Sequence, residues 1–375
     1  MPSNRRWIES LSPWPAEFGL GRTRELLAAL GEPQREFPAI HVVGTNGKTT
    51  TARLLEALLE TEGLKVGTYT SPHVVDWDER IRVAGRSADF EEVVARVRVA
   101  AERVGATQFE ALTAAAFAEF AAQEVDVAVV EAGLGGRLDA TNVLEAALVV
   151  LTNVALDHTE VLGETREEIA AEKLAVTAPG ATVILGEGEW RAVADDRGAA
   201  TVVVAGQSNL GLALAAAETF LGRRVDAHAA EGVRLPGRLE HVGDSPLEIW
   251  DGAHNLAGVG WLLARLPSRR YVVVASILRD KAVDGMLAAL AAVGDRLVAT
   301  ESSNPRAIPA EELAARGARF FTAAEAEADP EAAVVGARRL AGEKGAVLVC
   351  GSLYLLLDLA AVRPTAVPWE SSASG

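Results

Sequence analysis

The chain has 375 residues, 49% of them hydrophobic and 23% charged, an ordinary globular composition that excludes a disordered chain and allows two or three domains. Its formal net charge of −16 excludes a general attraction for nucleic acid or an anionic membrane, so a phosphorylated substrate must be met by local positive charge, backbone N–H groups or metal. Cys350 is the single cysteine, which rules out an intramolecular disulfide or a cysteine metal cluster and fits a reducing compartment.

The N-terminal stretch MPSNRRWIESLSPWP has no continuous apolar segment of the kind a secretory signal carries. No uninterrupted apolar run is long enough to cross a bilayer. A soluble, cytoplasmic protein is expected. Apolar runs at 39–43, 125–130, 147–152, 181–185, 201–204, 247–250, 271–275, 296–299 and 346–350 read as buried strands. Between them lie Ala/Leu/Glu-rich stretches with helical spacing, among them 50–62, 109–123 and 211–221. The alternation predicts an α/β fold built on parallel sheets covered on both faces. A Gly/Pro-punctuated boundary at 229–237 divides the chain into a larger domain, 1–233, and a smaller one, 234–375, with a Pro/Ser-rich tail expected to fray.

The strongest single motif is AIHVVGTNGKTT at 39–50. A buried strand runs into a glycine-containing turn, then Lys48, threonines and a helix. Glycines let backbone N–H groups approach phosphate oxygens, the helix N-terminus adds partial positive charge, and Lys48 reaches the outer phosphates. A threonine hydroxyl, from Thr49 or Thr50, completes a magnesium site. Val42 stands where the usual motif has its first glycine. Three further polar clusters sit at strand ends: Thr70–His73, the run from Glu131 through Gly135 and Asp139 to Asn142, and Leu156-Asp157-His158. Ligands of open α/β sheets bind beyond such carboxyl ends, so Glu131 is placed where a phosphoryl-transfer magnesium needs a carboxylate. Lys173 falls in a Glu-rich helical segment, 166–176, where solvation is the ordinary alternative. In the second half, Arg238 and the run Asp251–Asn255 stand out as a phosphate or carboxylate clamp and a ribose acceptor.

Taken in order, FGLGRTRELLAALGEPQREFPAIHVVGTNGKTT, TSPH, DERIRV, TQFEALTAAAFAEFA, VVEAGLGGRLDATNV, LDHTEVLGETREEIAAEK, PGRLE, DGAHN and GSLYLLL resemble the folylpolyglutamate synthase/dihydrofolate synthase family of the Mur ligase superfamily. The resemblance implies a P-loop ATPase domain, a smaller Rossmann-like C-terminal domain, and an active site in the cleft between them. It implies that Thr45, Asn46, Gly47, Lys48, Thr49 and Thr50 hold ATP phosphates, with Asn209, Arg238 and Asp251 also contacting ATP. Thr50, Ser71, Glu131 and His158 would bind Mg2+, and Lys173 matches a lysine that family members carbamylate into a metal ligand. Phe109 and Asp139 match positions facing the pterin, with Phe18–Leu20 as a further candidate. His254 would orient an intermediate or the incoming amine, and Lys281 would bind glutamate.

The implied reaction joins L-glutamate to dihydropteroate or a reduced folate at the expense of ATP, through an acyl phosphate, in a monomer with no nucleic-acid or membrane partner. The cell-wall Mur ligases carry a uridine-nucleotide domain ahead of the loop, for which the 43 residues preceding Gly44 are too few. A non-catalytic nucleotide-binding regulator is the other alternative; the full set of candidate side chains argues against it.

Overall fold

Runs of Val, Ile and Leu without polar alternation are suited to strands buried on both faces, and that is where they lie. The computed structural model describes residues 3–15 and 17–363; the tail PTAVPWESSASG lies outside the described residues. The chain divides into two compact units. One holds the residues up to His73 with Trp77–Val233, the other Val74–Asp76 with the residues from Arg234 onward.

The first unit is built on an eight-stranded sheet. Its strands are β1 (Ala39–Val43), β2 (Val66–Tyr69), β3 (Ile81–Val83), β4 (Arg86–Ser87), β5 (Val127–Glu131), β6 (Leu148–Leu151), β7 (Thr182–Leu185) and β8 (Thr201–Val204). The order across the sheet is β4-β3-β2-β5-β1-β6-β7-β8. The ladders from β2 to β8 are parallel, and the β3–β4 hairpin adds antiparallel at one edge. Ile40 and Val42 face the helices Lys48–Thr61 and Asn209–Leu221, burying Leu55, Leu58, Leu59, Leu212 and Ala216. The opposite face packs on Phe90–Val104 and Gln108–Ala122, with Tyr69, Phe117 and Phe120 in its core. The second of these helices opens on a capping box in which Thr107 and Glu110 satisfy each other's backbone N–H, worth about 1 kcal/mol.

The second unit holds β9 (Glu240–Asp244), β10 (Leu247–Trp250), β11 (Tyr271–Ala275), β12 (Arg296–Ala299), β13 (Ala323–Ala326) and β14 (Ala346–Cys350). Their order is β13-β12-β11-β14-β10-β9, parallel except for the antiparallel edge strand β9. Apolar clusters cover both faces. Val74 is part of one of them, beside Trp250 and Leu356, so a short piece of the N-terminal half belongs structurally to this unit.

All nine apolar runs become strands, with ends displaced by a residue or two. Three of the five unforeseen strands have a local reason. β2 reads VGTY, and its glycine is there because the Phe120 ring fills the space: a Cβ on Gly67 would stand 2.6 Å from it. β13 reads AAEA and is half to fully exposed. β9 reads EHVGD and lies at an edge. Polar or small residues suffice where one face or one edge stays wet.

Candidate active site

Strand order brings four chain segments to the carboxyl edge of the first sheet. β1 lies between β5 and β6, and β2 lies beyond β5. The turns that follow β1, β2, β5 and β6 therefore stand side by side, the arrangement that places ligands in α/β sheets.

The turn after β1 is tight. Gly47 caps the helix Lys48–Thr61 at φ +82°, and Gly44 has φ +148°. A side chain at either would strike a neighbour: a Cβ on Gly44 would lie 1.8 Å from Thr152 Oγ1, and one on Gly47 2.5 Å from Asn209 Oδ1. The loop is braced from the turn after β6. Thr45 N donates to Asn153 O (3.0 Å), Asn46 N to Asn153 Oδ1 (2.9 Å), and Ala155 N to Thr45 Oγ1 (3.0 Å). Thr152 Oγ1 donates to Asn46 O at 2.7 Å. Asn209 lies against the same loop and accepts from Thr51 Oγ1 at 3.4 Å.

Two lysines meet on one carbonyl. Lys48 Nζ donates to Gly44 O (3.1 Å) and Thr45 O (3.3 Å), and Lys173 Nζ donates to Gly44 O at 2.9 Å. Lys173 is buried, contrary to the solvated alternative. Its burial, reinforced by the Lys48 charge, pulls its pKa down to about 7, against the opposing pull of Asp157, Asp139 and Glu172.

The oxygen-rich corner lies beside it. Glu131, only 2% exposed at the end of β5, accepts from Thr49 Oγ1 at 3.0 Å and from Ser71 N at 3.1 Å. Of the two candidate threonines, Thr49 turns its hydroxyl onto this carboxylate. His158 stands in the left-handed region, φ 51°, at the head of the short helix Thr159–Leu162. Its N–H donates to Asp157 Oδ1 at 3.1 Å. Thr49, Ser71 and Glu131 supply hard oxygen donors, the chemistry magnesium prefers; a histidine nitrogen is the poorer match.

Asp139, matched by the resemblance to a position facing the pterin, lies in the loop that follows β5. It is buried, and its oxygens serve its own loop: Oδ2 accepts from Leu134 N (2.8 Å), Oδ1 from Thr141 N (3.0 Å) and from the Thr141 hydroxyl. Burial raises its pKa, and these bonds oppose the rise. The loop it closes fits its surroundings through glycines. A Cβ on Gly133 would meet Phe109 Cζ at 2.5 Å, and one on Gly136 would meet Lys173 O at 2.5 Å and Glu172 O at 2.7 Å. Phe109 also packs on Tyr69, with ring centroids 6.0 Å apart. Phe18 is 46% exposed and stands edge-on to Trp14. Because its neighbours at Gly136 are backbone and cannot swing away, Gly136→Ala should cost about 1–3 kcal/mol of stability. A thermal melt unchanged from the parent would mean that the loop is not seated on the end of the helix Arg166–Lys173.

In the second unit, Asp251 follows β10 and is buried. Its Oδ2 accepts from Leu239 N (2.7 Å) and Oδ1 from Ala253 N (2.8 Å); burial raises its pKa and the Arg238 charge counters this. Arg238 donates to Gly237 O at 3.0 Å and lies over Gly252. His254 Nδ1 is 2.8 Å from Gly252 O. Arg238, Asp251 and His254 thus share one edge. Lys281 follows β11 and pairs with Asp280 at 3.5 Å, its side chain nearly buried.

Residues 42–210 match the Mur ligase middle domain and residues 237–353 the Mur ligase glutamate ligase domain. The chain is 33% identical to a dihydrofolate synthase/folylpolyglutamate synthase of Bacillus subtilis, over 95% of this chain and 97% of that one. The chain belongs to the dihydrofolate synthase/folylpolyglutamate synthase family. Solved structures agree. Escherichia coli FolC in complex with DHPP and ADP superposes with a TM-score of 0.86 at 32% identity, covering 96% of this chain and 97% of that one. A bifunctional folylpolyglutamate synthase/dihydrofolate synthase with Mn, AMPPNP and L-glutamate bound gives 0.85 at 29% identity, covering 96% and 98%.

For a member of this folate-ligase family, sequence reasoning missed three residues that shape the site. Asn153 holds the phosphate loop from the side, and the only local signal is a Thr-Asn pair ending an apolar run. His41 and Thr141 form a buried pair at 2.8 Å, and a histidine inside an apolar strand was the available hint. Among the described residues, no helix is long and apolar enough to cross a membrane.

Proposed function

We propose that the protein is an ATP-dependent ligase that joins L-glutamate to the carboxylate of dihydropteroate and of reduced folates, releasing ADP and phosphate. The observation that carries this reading is the pairing of a lysine-bearing phosphate loop with an oxygen corner. Lys48 and Lys173 converge on Gly44 O while Glu131 holds Thr49 and Ser71 N beside them. The ligands of the two solved relatives, DHPP and ADP in one, and Mn, AMPPNP and L-glutamate in the other, are the reactant classes this reading needs.

The acceptor carboxylate attacks the γ-phosphorus of ATP and ADP leaves, giving an acyl phosphate. The glutamate amine then attacks the acyl carbon, the amide forms, and phosphate departs with the amine proton lost to solvent. Lys48, the loop N–H groups and the helix N-terminus offset the charge on the transferring phosphoryl group. Bound magnesium would supply further charge neutralisation there, held by Thr49 or Thr50 with Ser71 and Glu131, with His158 and a carbamylated Lys173 assigned to the same shell. Thr45, Asn46, Gly47, Thr50 and Asn209 are assigned to the phosphates and nucleotide, as are Arg238 and Asp251 of the second unit. Phe109 and the loop closed by Asp139 are assigned to the pterin end of the acceptor, His254 and Lys281 to glutamate or the intermediate. We read the protein as a cytoplasmic monomer, which the lone, buried Cys350 and the net charge of −16 support.

The test is phosphate release with ATP, Mg2+ and L-glutamate, run separately with dihydropteroate and tetrahydrofolate, with products identified by mass. Glutamate-dependent amide formation with both acceptors is expected. No amide with either would sink the folate reading and leave a Mur-type ligase with another acceptor.

A further inference from the structure

His41 lies in the middle of β1, in register with Val130 of β5 and Val149 of β6. Its side chain is fully buried. Its Nε2 is 2.8 Å from Thr141 Oγ1, and its Nδ1 has no hydrogen-bond partner among the described residues. A polar ring buried in a sheet with one nitrogen unmatched is costly, and smaller apolar side chains would fill the place without that cost. The bond it does make must therefore be worth having.

The direction of that bond follows from counting protons. Asp139 accepts backbone N–H groups, those of Leu134 and Thr141 among them, so its carboxylate serves as an acceptor. The Thr141 hydroxyl has one proton, and it goes to Asp139 Oδ1. The hydroxyl oxygen can then only accept from His41, which makes the ring the neutral Nε2–H form with a bare Nδ1. Burial, which holds the His41 pKa down to about 4, keeps the ring neutral. The unmatched atom is thus the one this form leaves without a proton.

We propose that His41 is a positioning residue for acceptor binding: its Nε2–H orients the Thr141 hydroxyl onto Asp139, and Asp139 in turn fixes the Gly133–Leu134 backbone against which Phe109 packs. The strand that carries the phosphate loop thereby also sets the loop on the acceptor side. This rests on the reading of Phe109 and that loop as the acceptor end of a folate ligase.

The relay is tested in the full-length protein with Thr141→Val, Thr141→Ser and His41→Phe. Thr141→Val and His41→Phe should raise the KM for dihydropteroate by roughly 10-fold, the size of one buried hydrogen bond left unmade, with the KM for ATP unchanged. Thr141→Ser, which keeps the hydroxyl, should restore acceptor KM to near the parent value. Equal loss in Thr141→Ser, or KM values for ATP and acceptor rising together, would overturn the proposal in favour of a packing role. Should the valine or phenylalanine variants fail to fold, the parent protein decides. Its long-range 1H–15N histidine spectrum near neutral pH should place His41 in the Nε2–H form; an imidazolium or the Nδ1–H form overturns the relay. A parent that makes no amide with either acceptor overturns the functional reading instead, and the ring tautomer then tests the relay separately.

Discussion

Lys48→Ala should reduce ATP turnover by about 10²–10³-fold or more, the usual loss when one positioned donor to a developing negative charge is removed. The fold should survive. Among the described residues, Lys48 Nζ bonds only loop carbonyls, at Gly44 and Thr45, and the helix behind it is held by Leu55, Leu58 and Leu59 in the apolar core. Thermal melting close to the parent, with glutamate-dependent phosphate release lost, is the expected pair of results. A variant that turns over ATP at the parent rate would refute the phosphate-loop assignment.

Lys173 should show the opposite relation between activity and stability. Its amine is buried and its pKa lowered to about 7, so near neutral pH a large share is uncharged. An uncharged amine can add CO2, forming an N–C bond and releasing a proton; an ammonium cannot. Lys173→Met should therefore lower kcat by about 10²-fold, whereas burying methionine in place of a cation should cost little. Unfolded, the amine keeps its proton up to its ordinary pKa of 10.5; folded, it releases it near 7. Between these values the unfolded chain binds more protons, so this group's contribution to stability rises with pH from about 7 to 10.5 and is most unfavourable below 7. In CO2-depleted buffer, Lys173→Met should melt above the parent at pH 6, and the gap should shrink as pH rises toward 10. A lower melting temperature at pH 6 together with undiminished kcat would make Lys173 a structural residue.

The coupling of these two lysines explains why neither is informative alone. Each donates to Gly44 O, and the Lys48 charge is one of the forces lowering the Lys173 pKa. Removing Lys48 should therefore raise the Lys173 pKa, so their effects on activity will not add.

The sequence by itself determined the class of fold and the location of the chemistry. Unbroken apolar runs required strands buried on both faces, and glycine, lysine and threonine after the first of them required a phosphate turn. Those features depend on side-chain period and turn geometry, which are local. Only the tertiary structure decided which atoms meet. Thr49 and Thr50 are equivalent in the sequence, but one turns its hydroxyl to Glu131, 82 positions away. Lys173 sits among glutamates and reads as a surface lysine until its amine is seen on Gly44, 129 positions earlier. Asp139 closes its own loop on Leu134, and His41 finds Thr141 across 100 positions. Val74–Asp76 joins a unit whose other residues begin at Arg234. Hydrogen bonding depends on distances of a few tenths of an ångström between segments far apart in the chain, and no local pattern encodes those distances.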